Sequence, residues 1–257
     1  MTETFLILFA GGIMLAAAIA NPRQVTLLWL RLAGILALCM AALAYFFLYR
    51  RDASAQPGQQ VLTCAIAIFV LGQLAFVQVA RRTLQRFFAL AAAISAITLA
   101  AIILPATSRA PAPTATILAF RILSMLGIAA VTGIALMDML LGHAYLTASQ
   151  MTMKPFLRLN RALAAALVFR ALCAVALALI FNSRHPLYMF WGIYGLYIGT
   201  RWLVGLAIPA AFVYMAHDCI RRRATQSATG ILYVAGVLVF IGEITGLYLL
   251  QQTGLPF

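Results

Sequence analysis

The sequence predicts an all-α fold, a polytopic integral membrane bundle of about eight transmembrane helices with both termini outside, and three observations carry that prediction. Of 257 residues, 65% are hydrophobic and 9% charged, with a mean hydropathy of +1.03. A soluble domain carries roughly 25% charged residues, so lipid must serve as solvent for most of this surface. The apolar residues fall into eight runs, each near the ~20 residues that cross a bilayer. Most of the basic residues gather at the ends of those runs.

The first run, 4–20, follows Glu3 and has no basic leader, so a retained span is expected and not a cleaved signal. The second, 25–49, starts after Asn21-Pro22-Arg23, and the third, 60–80, after the break RRDASAQPGQ at 50–59. The fourth, 87–104, stops at Pro105, and the Pro-rich linker PATSRAPAPTAT, 105–116, leads into the fifth, 115–141. The sixth, seventh and eighth cover 160–181, 188–216 and 227–250, with Pro209 predicted to kink the seventh. Hydrocarbon cannot satisfy an open backbone, so each run must be helical. Short connections and the absence of a soluble insert or repeat predict one membrane domain over 1–257.

The formal charge of +13 would suggest nucleic acid in a soluble chain. Here its placement marks topology and lipid-headgroup contact instead, and no nucleic-acid partner is expected. Connections 1–2, 3–4, 5–6 and 7–8 hold eleven Lys and Arg: Arg23, Arg31, Arg81, Arg82, Arg86, Lys154, Arg158, Arg161, Arg221, Arg222 and Arg223. The alternate connections hold four, namely Arg50, Arg51, Arg109 and Arg184. The positive-inside rule then puts the richer set in the cytoplasm and both termini outside, in a bacterial cytoplasmic membrane. Cys39, Cys64, Cys173 and Cys219 lack paired spacing and read as small hydrophobes, not as disulfides or metal ligands.

Three basic residues remain inside spans: Arg121, Arg170 and Arg201. An arginine near the bilayer centre costs about 2.5–3.5 kcal/mol even on insertion scales, so each needs protein or water partners. Glu243, within LVFIGEITGLYLL, is the deep acid available to them. Tyr194, Tyr197 and Arg201 recur at i, i+3 and i+7, which predicts one shared face. Gly195 with Gly199, and Gly242 with Gly246, form GxxxG steps that predict close helix approach. An ion-pair brace or a site for an acceptor-rich ligand both fit these charges.

At the cytoplasmic end of the fifth run, MDMLLGHAYLTASQMTMKP (137–155) brings Asp138, His143 and Tyr145 together with four methionines. A retinal Schiff base is excluded, because the single lysine, Lys154, lies in a connection. His143, His185 and His217 do not face one another inside the membrane, so no haem is expected. Met137 and Met139, two apart, point about 200° from each other on a helix and cannot both turn to one copper ion; no metal site is expected. A quinone suits the residues better, since its carbonyls accept from Arg, His or Tyr and its reduction draws protons from a carboxyl. Asp138 and Tyr145, seven apart, share a face. His143 reaches Asp138 only if the helix breaks near Gly142.

FAGGIMLAAAIA in the first span and LVFIGEITGLYLL in the last, together with the span count and both termini outside, resemble the membrane-anchor subunits of dimethyl sulfoxide reductase and polysulfide reductase type complexes. That resemblance implies a haem-free bundle exchanging electrons between quinone and iron–sulfur partner subunits. Spans 1–4 contain no His, so the family's quinone-site histidine has no counterpart and no residue is carried over. The expectation is a membrane subunit of a respiratory or electron-transfer complex, offering a quinone or lipid site and a docking surface for other subunits, that is, a non-catalytic or quinone-interacting subunit of an oxidoreductase complex. A small-anion transporter or channel lined by Arg121, Arg170 and Arg201, and a purely structural subunit, are the alternatives.

Overall fold

A computed structural model describes residues 1–51, 57–107, 115–147, 152–182 and 188–253, all helix and short turns, with no strand among them. Arg109, Arg184, His185 and much of both linkers lie outside the described residues. The helices are α1 (Thr2–Ile19), α2 (Leu27–Arg51), α3 (Pro57–Gln78), α4 (Arg82–Thr107), α5 (Ala115–Thr147), α6 (Lys154–Asn182), α7 (Tyr188–Gly199), α8 (Ile208–Arg221) and α9 (Thr225–Thr253). Between α7 and α8 the chain continues without interruption as a π-helical segment, Thr200–Ala207. Eight helices, with α7, the π segment and α8 together forming the seventh, are long and apolar enough to cross a membrane. This is the architecture of a multi-pass membrane protein.

The helices overrun the apolar runs at their charged ends. α4 begins at Arg82, not 87, α5 runs to Thr147, and α6 begins at Lys154, not 160. Long basic side chains lie along apolar surface while their heads reach water, so a charge does not end a membrane helix.

Two helices organise the packing. α1 touches α2, α4 and α5, while α5 also carries α6 and α9, and α8 packs on α9 and α6. The glycine pair in FAGGIM explains how α1 comes so close: a Cβ on Gly12 would stand 1.8 Å from the Ala129 carbonyl oxygen. Gly133 is equally tight, its added Cβ falling 1.9 Å from the Gly12 carbonyl carbon. In lipid no hydrophobic force drives helices together, so backbone approach through small residues supplies the packing gain. Trp29 Nε1 on α2 donates to the Met137 carbonyl at 3.1 Å, and Gln73 Nε2 on α3 to that of Leu30 at 3.3 Å. The outward surface is apolar, with Leu28, Leu196 and Tyr214 more than three-quarters or nearly so exposed at 75%, 82% and 77%; hydrocarbon accommodates what water would not.

Pro209 acts on the seventh span through the π segment. Proline lacks an N–H and its ring crowds the carbonyl four residues earlier, here that of Gly205. The wider turn accommodates this, with Ile208 N–H reaching back five residues to the Leu203 carbonyl. Such π turns concentrate at functional positions, and Arg201 lies within this one.

Candidate functional site

Helices α5, α6, α8 and α9, with the π segment, enclose two polar layers. In the deeper one, Glu243 of α9 accepts from two arginines. Arg170 of α6 approaches it side-on, with Nε 3.2 Å and Nη2 3.2 Å from Oε2, and Nε 3.4 Å from Oε1. Arg201 of the π segment donates Nη2 to Oε1 at 3.0 Å. Glu243 and Arg201 are fully buried and Arg170 is 1% exposed. Glycines shape the space: a Cβ on Gly127 of α5 would lie 2.8 Å from Arg170 Cδ, so the Arg170 stem runs across a glycine gap. Gly205 and Gly242 meet directly, an added Cβ on Gly242 falling 2.1 Å from Gly205 Cα, and that contact brings the π segment onto α9 beside Glu243.

Arg121 is also buried, on α5, about 9 Å along the helix from Gly127 at the ordinary rise per residue. On that side the layer is capped by Leu177, Ile198 and Leu249, packed with Phe120, Tyr194 and Trp202. On the other side Leu163, Leu167, Leu206, Val213, Leu232 and Val239 form a buried apolar band.

Beyond the band lies the second layer, about 15 Å from the first along α6. Asn160 Nδ2 donates to Asp138 Oδ2 at 3.3 Å, and the Asn160 Oδ1 meets His217 Nδ1 at 3.2 Å. Since the amide oxygen can only accept, His217 supplies Nδ1–H and keeps Nε2 as its proton-accepting nitrogen. Asp138 and Asn160 are fully buried, whereas His217 on α8 is half-buried. Asp138 Oδ1 accepts no hydrogen bond from any described residue. Arg161 and Arg221 stand within electrostatic reach of His217, opposed by Asp218, which itself accepts from Arg222 Nε at 2.8 Å. Chemically, the layer presents a carboxyl that can hold a proton, linked through an oriented amide to an imidazole at the bundle's basic end.

Arg170, Arg201 and Glu243 therefore come together, and Asp138 is joined by Asn160 and not by His143 or Tyr145. α5 continues unbroken through Gly142 to Thr147, because Gly142 packs against Thr229 Oγ1 and Phe156, where an added Cβ would lie 2.7 and 3.0 Å away. His143 consequently points outward and is exposed. Tyr145 is buried, its hydroxyl donating to the Thr152 carbonyl and its ring stacked on Phe156 at 5.2 Å and 14°; it fastens the α5–α6 connection. Tyr197 is 41% exposed and pairs with Tyr248 at 5.0 Å, so it does not share the inward face of Arg201. The π turn shifts the phase that a regular helix would give. A Cβ on Gly199 would meet nothing within 4 Å, whereas Gly205 and Gly242 approach each other closely.

Asn160 and His217 were not among the sequence candidates. Each sits at the edge of an apolar run, where a neutral polar residue looks interfacial; the signal that finds them is a polar side chain on the same helical face as buried leucines. No group of three or more His, Cys, Asp or Glu that could hold a metal occurs among the described residues. Neither a protein-family model, nor a characterised relative, nor a solved structure matches the chain, so the site is read from its own chemistry.

Proposed function

We propose that the protein is an integral membrane subunit of an electron-transfer complex that offers a quinone site without a haem of its own. The observation that carries this is the Asp138–Asn160–His217 chain, a buried carboxyl joined through one amide to a half-buried imidazole. Reduction of a quinone takes two electrons and two protons. On this proposal the electrons come from a redox centre in a partner subunit, Asp138 delivers one proton, and His217, having taken up a proton at Nε2, donates that Nε2–H to a quinone carbonyl and delivers the second. The eleven cations of connections 1–2, 3–4, 5–6 and 7–8 support a cytoplasmic side for this layer and both termini outside.

The deeper layer serves as a brace. Removing one member of a buried ion pair is far more costly than replacing all of it with apolar residues, and Glu243 joins three elements at once. One observation favours a small-anion path instead: three arginines, Arg121, Arg170 and Arg201, are buried within the spans against the single deep carboxylate Glu243.

Purification in mild detergent separates these readings. An electron-transfer subunit brings iron–sulfur or cytochrome partners with it. Recovery of the protein alone, with anion flux in proteoliposomes that disappears in Arg201→Gln, supports the anion path.

A further inference from the structure

At the basic end of the bundle, beside the second polar layer and separate from the deeper one, a cavity of about 620 Å³ opens between the α1–α2 turn and the first turns of α6. Its lining is Asn21, Gln24, Lys154, Leu157, Arg158 and Arg161. We propose that this cavity is a binding site for a phosphate-bearing anion, and that the headgroup of an anionic phospholipid is its natural occupant.

Charge comes first. Lys154, Arg158 and Arg161 stand at i, i+4 and i+7, on one face of α6, where like charges repel each other. No acid lines the cavity. Of the acids at the same end of the bundle among the described residues, Asp218 is committed to Arg222 and Asp138 to Asn160. A counter-anion of the cavity's own relieves that repulsion.

The opposite wall is preformed and polar. Arg86 Nη2 of α4 donates to the Ala20 carbonyl at 3.2 Å, and Gln24 N–H to that of Asn21 at 2.9 Å, which together fix the turn. Asn21 Oδ1 accepts from the Arg23 backbone N–H at 3.2 Å, which leaves its Nδ2 as a donor. Two guanidiniums, an ammonium and two amides around one space match the acceptor-rich geometry of a phosphate. Half-buried Leu157 in the lining, and the cavity's place at the ends of membrane-crossing helices, put acyl chains within reach of the same site. Basic pockets between spans on the cytoplasmic side recognise anionic headgroups in this way.

The test is a titration of the intact protein, in zwitterionic nanodiscs, with phosphatidylglycerol, read by native mass spectrometry. The wild type should retain phosphatidylglycerol over phosphatidylcholine. Lys154→Gln/Arg158→Gln should weaken that preference by about fivefold per charge removed, whereas Arg221→Gln/Arg222→Gln, at the same end but outside the cavity, should barely alter it. Asn21→Ala/Gln24→Ala keeps every charge, and with it topology and insertion, and should also weaken retention. Competition by inorganic phosphate at millimolar concentration assigns the same chemistry to a soluble anion. Equal losses in the two charge variants, with none in Asn21→Ala/Gln24→Ala, would reduce the cavity to general surface attraction and overturn the proposal.

Discussion

At the residue scale, the three buried charges of the deeper layer were conspicuous in the sequence and the second layer was not. Arg170, Arg201 and Glu243 interrupt apolar runs, and the expense of a charge in hydrocarbon points to mutual contact before any coordinates are known. Asn160 and His217 carry no formal charge at neutral pH and fall near helix ends, so nothing in composition separates them from interfacial anchors. Their partnership depends on where α6 and α8 lie against α5, which is tertiary information. Two predictions belong here. Glu243→Gln leaves two guanidiniums facing a neutral amide, and thermal unfolding in detergent should register a loss of about 3–5 kcal/mol. Arg170→Met/Arg201→Leu/Glu243→Leu should recover most of it; a triple variant as unstable as the single one would argue against a brace. Asn160→Leu strips Asp138 of its donor and should cost about 1–3 kcal/mol, while His217→Ala, at a half-buried position, should cost about 0.5 kcal/mol.

At the scale of the element, all eight spans were legible because a bilayer imposes both length and helicity on any apolar run. Their ends were less so, since Arg82 and Lys154 sit inside helices that the sequence alone would begin later. The π segment was foreshadowed only by Pro209. A kink was the natural expectation, and a local widening over Thr200–Ala207 is what relieves the proline. The glycines divide in the same manner, by neighbour and not by motif. Gly12→Ala drives a methyl into the α5 backbone, with a predicted loss of about 3 kcal/mol or more. Gly230→Ala on α9, exposed and with nothing within 4 Å of an added Cβ, should instead be neutral or gain up to about 1 kcal/mol from the better helix former. Parallel melting curves of the two variants check the pair, and similar shifts would contradict the α1–α5 crossing.

For the whole molecule, the division of labour runs along the chain. α1–α4 are held to α5 chiefly through the small-residue contact of α1, and the two polar layers lie among α5–α9. The charge asymmetry predicts that reporter fusions after Arg23, Arg86, Lys154 and Arg222 report cytoplasm and that one after Arg50 reports the opposite side. The reverse pattern would move Asp138 and His217 to the outer face. The most direct measurement of the central proposal is quinone binding to the purified protein, by titration with a short-chain quinone and by organic extraction of bound quinone. The wild type should bind about one quinone per chain, and Asp138→Asn and His217→Gln should each weaken binding at least about tenfold while melting within about 1–3 kcal/mol of the wild type. A wild-type protein that yields no quinone on extraction and binds none on titration would contradict the proposed function outright.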